Sequence, residues 1–172
     1  PEIGLGGSQT YTMATWIKFS DLQGSAIYNQ FGLGGQTGKM ISISGGKFTV
    51  LIDKNGTGWQ AFTSPIVMNP NVWNHVAYIQ DAGKIIMYIN GMRSIPTSDF
   101  YGTAGDNSLR ATHLTATANT NAASIGGSAN STIDNFQIWN TALSQSDISK
   151  YAHTSLTGFE PNLAVAYDFN QI

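Results

Sequence analysis

The feature that most restricts this chain is an alternation of apolar and polar residues over short runs, each run closed by turn residues. Side chains two positions apart share one face of a β-strand, so such runs read as strands with one face toward a core. Tyr11 to Phe19 is one, and Lys39 to Ser44 sets Met40, Ser42 and Ser44 against Ile41 and Ile43. Gly45-Gly46 then closes a hairpin whose return strand, Lys47 to Asp53, puts Phe48, Val50 and Ile52 on one side and Thr49 and Leu51 on the other. Leu51 is expected to be only partly covered. Val72 to Gln80 and Lys84 to Asn90 form a second hairpin across Asp81-Ala82-Gly83, and Asn90-Gly91 supplies residues that tolerate positive φ in a further turn. Ala123 to Gly126, Thr132 to Trp139 and Leu163 to Phe169 complete the strand-like runs.

One helix stands out between the last two. Ser144 is a good N-cap with Asp147 at N3 near the positive helix end, and Leu143 and Ile148 occupy the two positions of a hydrophobic staple. The helix is expected to end near Ala152. Roughly ten strands at turn spacing with a single helix argue for an antiparallel sandwich. No internal repeat is visible, and residues 1–172 are read as a single domain. Within them, Ser108 to Thr117 is expected to be a further edge strand and Pro96 to Asn107 a projecting loop, because a wholly irregular connection of about 25 residues is uncommon.

Composition narrows the partners. Only 10% of the residues are charged and the net charge is −2, against roughly 25% charged in typical domains. The surface must therefore be built from Ser, Thr, Asn, Gln and Gly. No basic cluster offers the electrostatic attraction that nucleic acid or anionic lipid requires. No apolar run approaches the ~20 residues of a membrane-spanning helix, so no membrane insertion is expected. Cysteine is absent, which removes disulfides, thiolate zinc sites and thiol catalysis together. The sequence opens on Pro1 without a charged and apolar leader and is read as a processed chain or an excised module.

Three segments in order carry a family resemblance. Tyr11-Thr12-Met13-Ala14-Thr15-Trp16-Ile17-Lys18-Phe19, then Trp73-Asn74-His75-Val76-Ala77-Tyr78 with Ile86-Met87-Tyr88-Ile89-Asn90-Gly91, resemble an early strand and a central hairpin of laminin G-like domains. Ser124-Ile125-Gly126-Gly127 followed by Thr132 to Ser144 resembles their ending. The resemblance covers about residues 10 to 150 and implies a concanavalin A-like lectin-glucanase jelly roll: all-β, two antiparallel sheets, one short helix near the C-terminus.

Chemistry is sparse. Retaining glycoside hydrolysis needs two carboxyl groups about 5 Å apart, and no E-x-D-x-x-E run or similar pair occurs; the glutamates are Glu2 and Glu160, and the eight aspartates are scattered singly. His75, His113 and His153 lack the neighbours of a catalytic triad or the spacing of a metal pair. His75 is read as a structural surface histidine hydrogen-bonded through its imidazole, His113 as solvated and His153 as a cation at the helix C-terminus. Trp16, Trp73 and Trp139 lie in strands and are assigned to the core. The chain is therefore not expected to be an enzyme.

Alternation of strand direction gathers the loops at about 31 to 38, 53 to 59, 81 to 83 and 96 to 107 at one end, opposite Gly45-Gly46 and Asn90-Gly91. This rim brings aromatic rings near amides and carboxylates, the mixture that binds sugars. The expected ligand-binding residues are Trp59, Asn55, Asp99, Tyr101 and Asn107. Calcium, common on the loop rims of related jelly rolls, takes six to eight oxygen ligands; here its carboxylates would be Asp53, Asp99 and Asp106. The expected function is a non-catalytic extracellular or cell-surface binding module, glycan-binding or adhesive, attached to other domains of a larger chain. The alternative is a structural or protein-interaction module of a surface protein.

Overall fold

The computed structural model describes residues 10–22, 24–30, 38–53, 59–81, 84–100, 122–128 and 130–170, with backbone alone at 53, 59 and 97–100. Its strands are β1 (Tyr11–Phe19), β2 (Ser25–Gln30), β3 (Lys39–Ser44), β4 (Lys47–Asp53), β5 (Trp59–Val67), β6 (Asn74–Asp81), β7 (Lys84–Ile89), β8 (Met92–Ser94), β9 (Thr97–Phe100), β10 (Ser124–Ile125), β11 (Ser131–Trp139) and β12 (Leu163–Tyr167). The helix α1 (Gln145–Ala152) lies between the last two. The first sheet has the order β12-β11-β1-β6-β7-β8 and the second β10-β2-β3-β4-β5-β9. Every pairing is antiparallel. The chain is thus a two-sheet jelly-roll sandwich.

Alternation does what the sequence implies. Met13, Ile17 and Phe19 of β1 meet Ile41, Ile43, Phe48, Val50, Ile52 and Phe62 of the second sheet in one apolar core. Leu51 is half-buried on the other face. The turns match their chemistry: Asn90 (φ 50) and Gly91 (φ 78) occupy left-handed geometry, and the Asn90 carboxamide also accepts from the His75 backbone N–H at 2.8 Å. A residue chosen for the turn therefore also ties β6 to it.

The outer face of the first sheet is closed by α1. Ser144 Oγ accepts from the Asp147 N–H at 3.1 Å, giving the expected cap, and the helix ends at Ala152. Ile148 enters a second apolar cluster with Ala14, Ala77, Ile79 and Tyr88, and Leu143 packs against it. Trp16 Nε1 donates to the Ala152 carbonyl at 2.8 Å, and the Trp139 ring stacks on Tyr151 at 4.4 Å.

The tryptophan assignment needs correcting in part. Trp139 is fully buried, but beneath the helix; Trp16 is half-buried between strand and helix end; Trp73 is 43% exposed, because β6 begins one residue after it. His75 is also buried rather than at the surface, its ring edge-on to Trp16 at 5.2 Å. Four strands escaped the reading from sequence. In β2 the register slips between Ala26 and Tyr28, so Ile27 and Tyr28 are both buried and the alternation is lost. In β5, Pro65 falls where pairing with β4 shifts, and Ser64 Oγ takes over locally by accepting from the Ile66 N–H at 3.1 Å. β8 is a three-residue return strand, and β9 takes Thr97–Phe100 out of the segment assigned to a projecting loop. The edge strand expected at Ser108 to Thr117 lies outside the described residues.

Candidate functional site

Backbone register brings part of the expected rim together. The β4–β5 pairing sets Asp53 opposite Trp59, and β9 runs back along β5 so that Asp99 lies opposite Ala61 and Phe100 opposite Gln60. Asp53, Trp59 and Asp99 thus come to one end of the second sheet through backbone register. Their side chains, and all of Asn55, Tyr101, Asp106 and Asn107, lie outside the described residues. Among the described residues no group of three His, Asp or Glu side chains converges as a metal site would require.

Beneath this rim the two sheets share a buried polar cluster. Lys39, at the start of β3, is 1% exposed. Its Nζ donates to the Tyr11 hydroxyl at 2.8 Å and lies 4.6 Å from the centre of the same ring. Gln80 Oε1 accepts from the Tyr11 and Tyr78 hydroxyls at 3.2 and 2.9 Å, and Gln30 Oε1 accepts from Tyr28 at 2.9 Å. Burial holds the Lys39 amine down at about 7 and pushes the Tyr28 hydroxyl up to about 12. Tyr11 and Tyr78 are also raised, chiefly by burial.

A partly open face lies on the outside of the second sheet, where Ser44 is exposed, Met40, Leu51, Ala61 and Thr63 are half-buried, and Ser42 and Thr49 are buried. Cross-strand register aligns Ala26, Ser42, Thr49 and Thr63 in one row and Asn29, Met40, Leu51 and Ala61 in the next. A groove of about 690 Å³ follows these rows, with Ser44, Gly24 and Ser128 at its border. Thr49 and Thr63 hydroxyls are 3.4 Å apart, and Ser128 Oγ is held by the Ala26 N–H at 2.8 Å. No described lining side chain carries a charge. Asn29 Oδ1, in the second row, is buried without a hydrogen-bond partner, a costly condition for an amide oxygen. The parity of Met40, Ser42, Ser44, Thr49 and Leu51 was readable from sequence, but the face could not be assembled without β2 and β5.

Comparison with known proteins agrees with this architecture. The pattern of the laminin G type described as the concanavalin A-like lectin/glucanases superfamily matches residues 1–149. The chain belongs to that superfamily. Among curated proteins no sequence matches it. Its solved structural neighbours include the botulinum neurotoxin serotype D binding domain, with 17% identity and a TM-score of 0.62 over 86% of this chain and 37% of that one. Another is botulinum neurotoxin type C, which depends upon interaction with two ganglioside molecules to enter cells; identity is 16% and the TM-score 0.63, over 88% of this chain and 37% of that one. A third, the heptameric SAP-like pentraxin of Limulus polyphemus, has 15% identity and a TM-score of 0.50 over 94% of this chain and 81% of that one. At these identities the likeness establishes the superfamily fold. The chain spans little more than a third of the toxin chains. No helix among the described residues is long and apolar enough to cross a membrane.

Proposed function

We propose that this superfamily member is a non-catalytic module of an extracellular or cell-surface protein that binds neutral glycan along the outer face of its second sheet, extending toward the Asp53/Trp59/Asp99 rim. The observation that carries the reading is the composition of the groove: Ser42, Ser44, Thr49 and Thr63 hydroxyls alternate with the apolar surfaces of Met40, Leu51 and Ala61, with no charge among the described lining. A sugar presents the same mixture of hydroxyls and C–H faces, and neutral groups pair with it without ion desolvation. The superfamily match and the ganglioside dependence of the type C toxin are consistent with a carbohydrate ligand.

The test is a glycan array run with and without chelator, followed by Ala61→Arg, which fills the groove from a half-buried position. Binding of a neutral glycan that falls at least tenfold in the variant is the expected result. Loss of binding in chelator would assign calcium to the rim carboxylates Asp53, Asp99 and Asp106. Failure to bind any glycan under either condition, with the fold intact, overturns the proposal.

A further inference from the structure

A second groove lies at the edge of the first sheet, away from the one just described. β12 accompanies β11 only along Phe136–Trp139, and where it departs a cavity of about 800 Å³ opens between residues 135–137, 155–158 and 166–170. One wall is braced from within: the Glu160 carboxylate accepts from the N–H groups of Thr157 and Gly158 at 2.7 and 3.0 Å and from the Thr157 hydroxyl at 2.9 Å.

Two rings stand in this lining, Tyr167 at 51% and Phe169 at 50% exposure, stacked with centroids 6.0 Å apart. Phe169 has φ 50, a left-handed conformation that is costly for a bulky L-residue. The chain accepts this strain and leaves the ring half in water, so core packing does not account for its placement. Around the rings the polar lining is Asn135, Ser155, Thr157 and Asn170, with Asp168 as the one described charge, beside apolar Leu156 and Ala166; Gln137 also borders the groove but is buried, its amide held by the Tyr151 carbonyl and Trp139 Nε1.

We propose that this groove is a second carbohydrate subsite, which takes a neutral pyranose unit with a C–H face against the Tyr167/Phe169 pair. The Asn135 and Asn170 amides, the Ser155 hydroxyl and the Asp168 carboxylate then take the sugar hydroxyls. The lone carboxylate disfavours anionic sugars, and a lining so rich in polar groups does not suit an apolar peptide face. The proposal rests on the glycan reading for its ligand class but uses none of the same residues.

Because of that separation, one experiment distinguishes the two. Amide chemical shifts of the labelled chain are followed during titration with neutral gluco-, galacto- and N-acetylglucosamine oligosaccharides, with galacturonate oligomers as the anionic control. Neutral sugars are expected to move residues 155–158 and 166–170, and Tyr167→Ala or Phe169→Ala to weaken that response about tenfold, with Asn170→Ala as a milder variant should either fail to fold. Shifts confined to residues 40–63 overturn the second subsite and leave the first. Shifts in neither set overturn both. A preference for galacturonate at this groove, or self-association abolished by Tyr167→Ala without sugar shifts, also overturns it.

Discussion

Two buried titratable residues give the protein a readable pH signature. Burial, reinforced by the His153 charge, holds His75 down at about 4 from its ordinary 6.5. The unfolded chain therefore binds the proton first, and stability is expected to fall as pH drops from 6.5 toward 4, by about 3 kcal/mol at about 1.4 kcal/mol per unit. Urea unfolding at pH 7 and pH 4 measures it, and a His75→Phe variant should lose most of that dependence. Lys39 acts on the alkaline side. Its amine, held at about 7 against 10.5 when free, makes the folded state bind fewer protons across that interval, so stability rises with pH through it. The raised hydroxyls of Tyr11, Tyr28 and Tyr78 oppose this above about pH 10, where the unfolded tyrosines ionise first. A stability maximum at about pH 9 to 10 is expected, well above the usual neutral range, and Lys39→Met should move it down. Neither residue's burial could be read locally: His75 belongs to a strand covered on its outer face by a helix seventy residues later, and Lys39 has a charged side chain at an inward register position.

At the scale of elements, the helix and the turns were the most legible parts, because their signals are local. Ser144, Asp147, Leu143 and Ile148 announce α1, and all four appear in the expected roles. Ser144→Ala should cost about 1 kcal/mol by thermal or chemical unfolding, and Trp16→Phe, which removes the donor to the Ala152 carbonyl, a similar amount. The Gly45-Gly46 turn separates two effects. Both residues have positive φ, but a Cβ at Gly45 meets nothing within 4 Å, whereas at Gly46 it meets Leu22 Cδ2 at 3.0 Å and the Met68 carbonyl at 3.3 Å. Gly45→Ala should cost about 1 kcal/mol for conformation alone, and Gly46→Ala clearly more. An equal loss of melting temperature in the two variants would contradict the crowding. Of the four strands that sequence did not reveal, β2 and β5 are those in which a register slip or a proline interrupts the period of two; alternation shows a strand only while it lasts.

Over the whole molecule, the superfamily and the sandwich were legible because recognisable runs and turns occur in order, while the groove on the second sheet was not. A groove on a sheet is made by register between strands distant in sequence: Ser42, Thr49 and Thr63 become neighbours only through β3, β4 and β5 together. The rim was inferred from strand direction alone, and backbone register does bring Asp53, Trp59 and Asp99 to one end. The contact between Lys39 and Tyr11 has one more consequence. Apolar packing sets how far apart two sheets lie but resists their sliding and rotation weakly, since it is non-directional; a hydrogen bond from one sheet to the other at 2.8 Å resists both. The sandwich is thus pinned against shear at the end that carries the rim. Replacing the buried amine with methionine should leave the melting temperature at neutral pH unchanged or higher, yet loosen one sheet against the other, so that the damage registers as faster amide hydrogen exchange around Tyr11 and Lys39 in an equally stable protein.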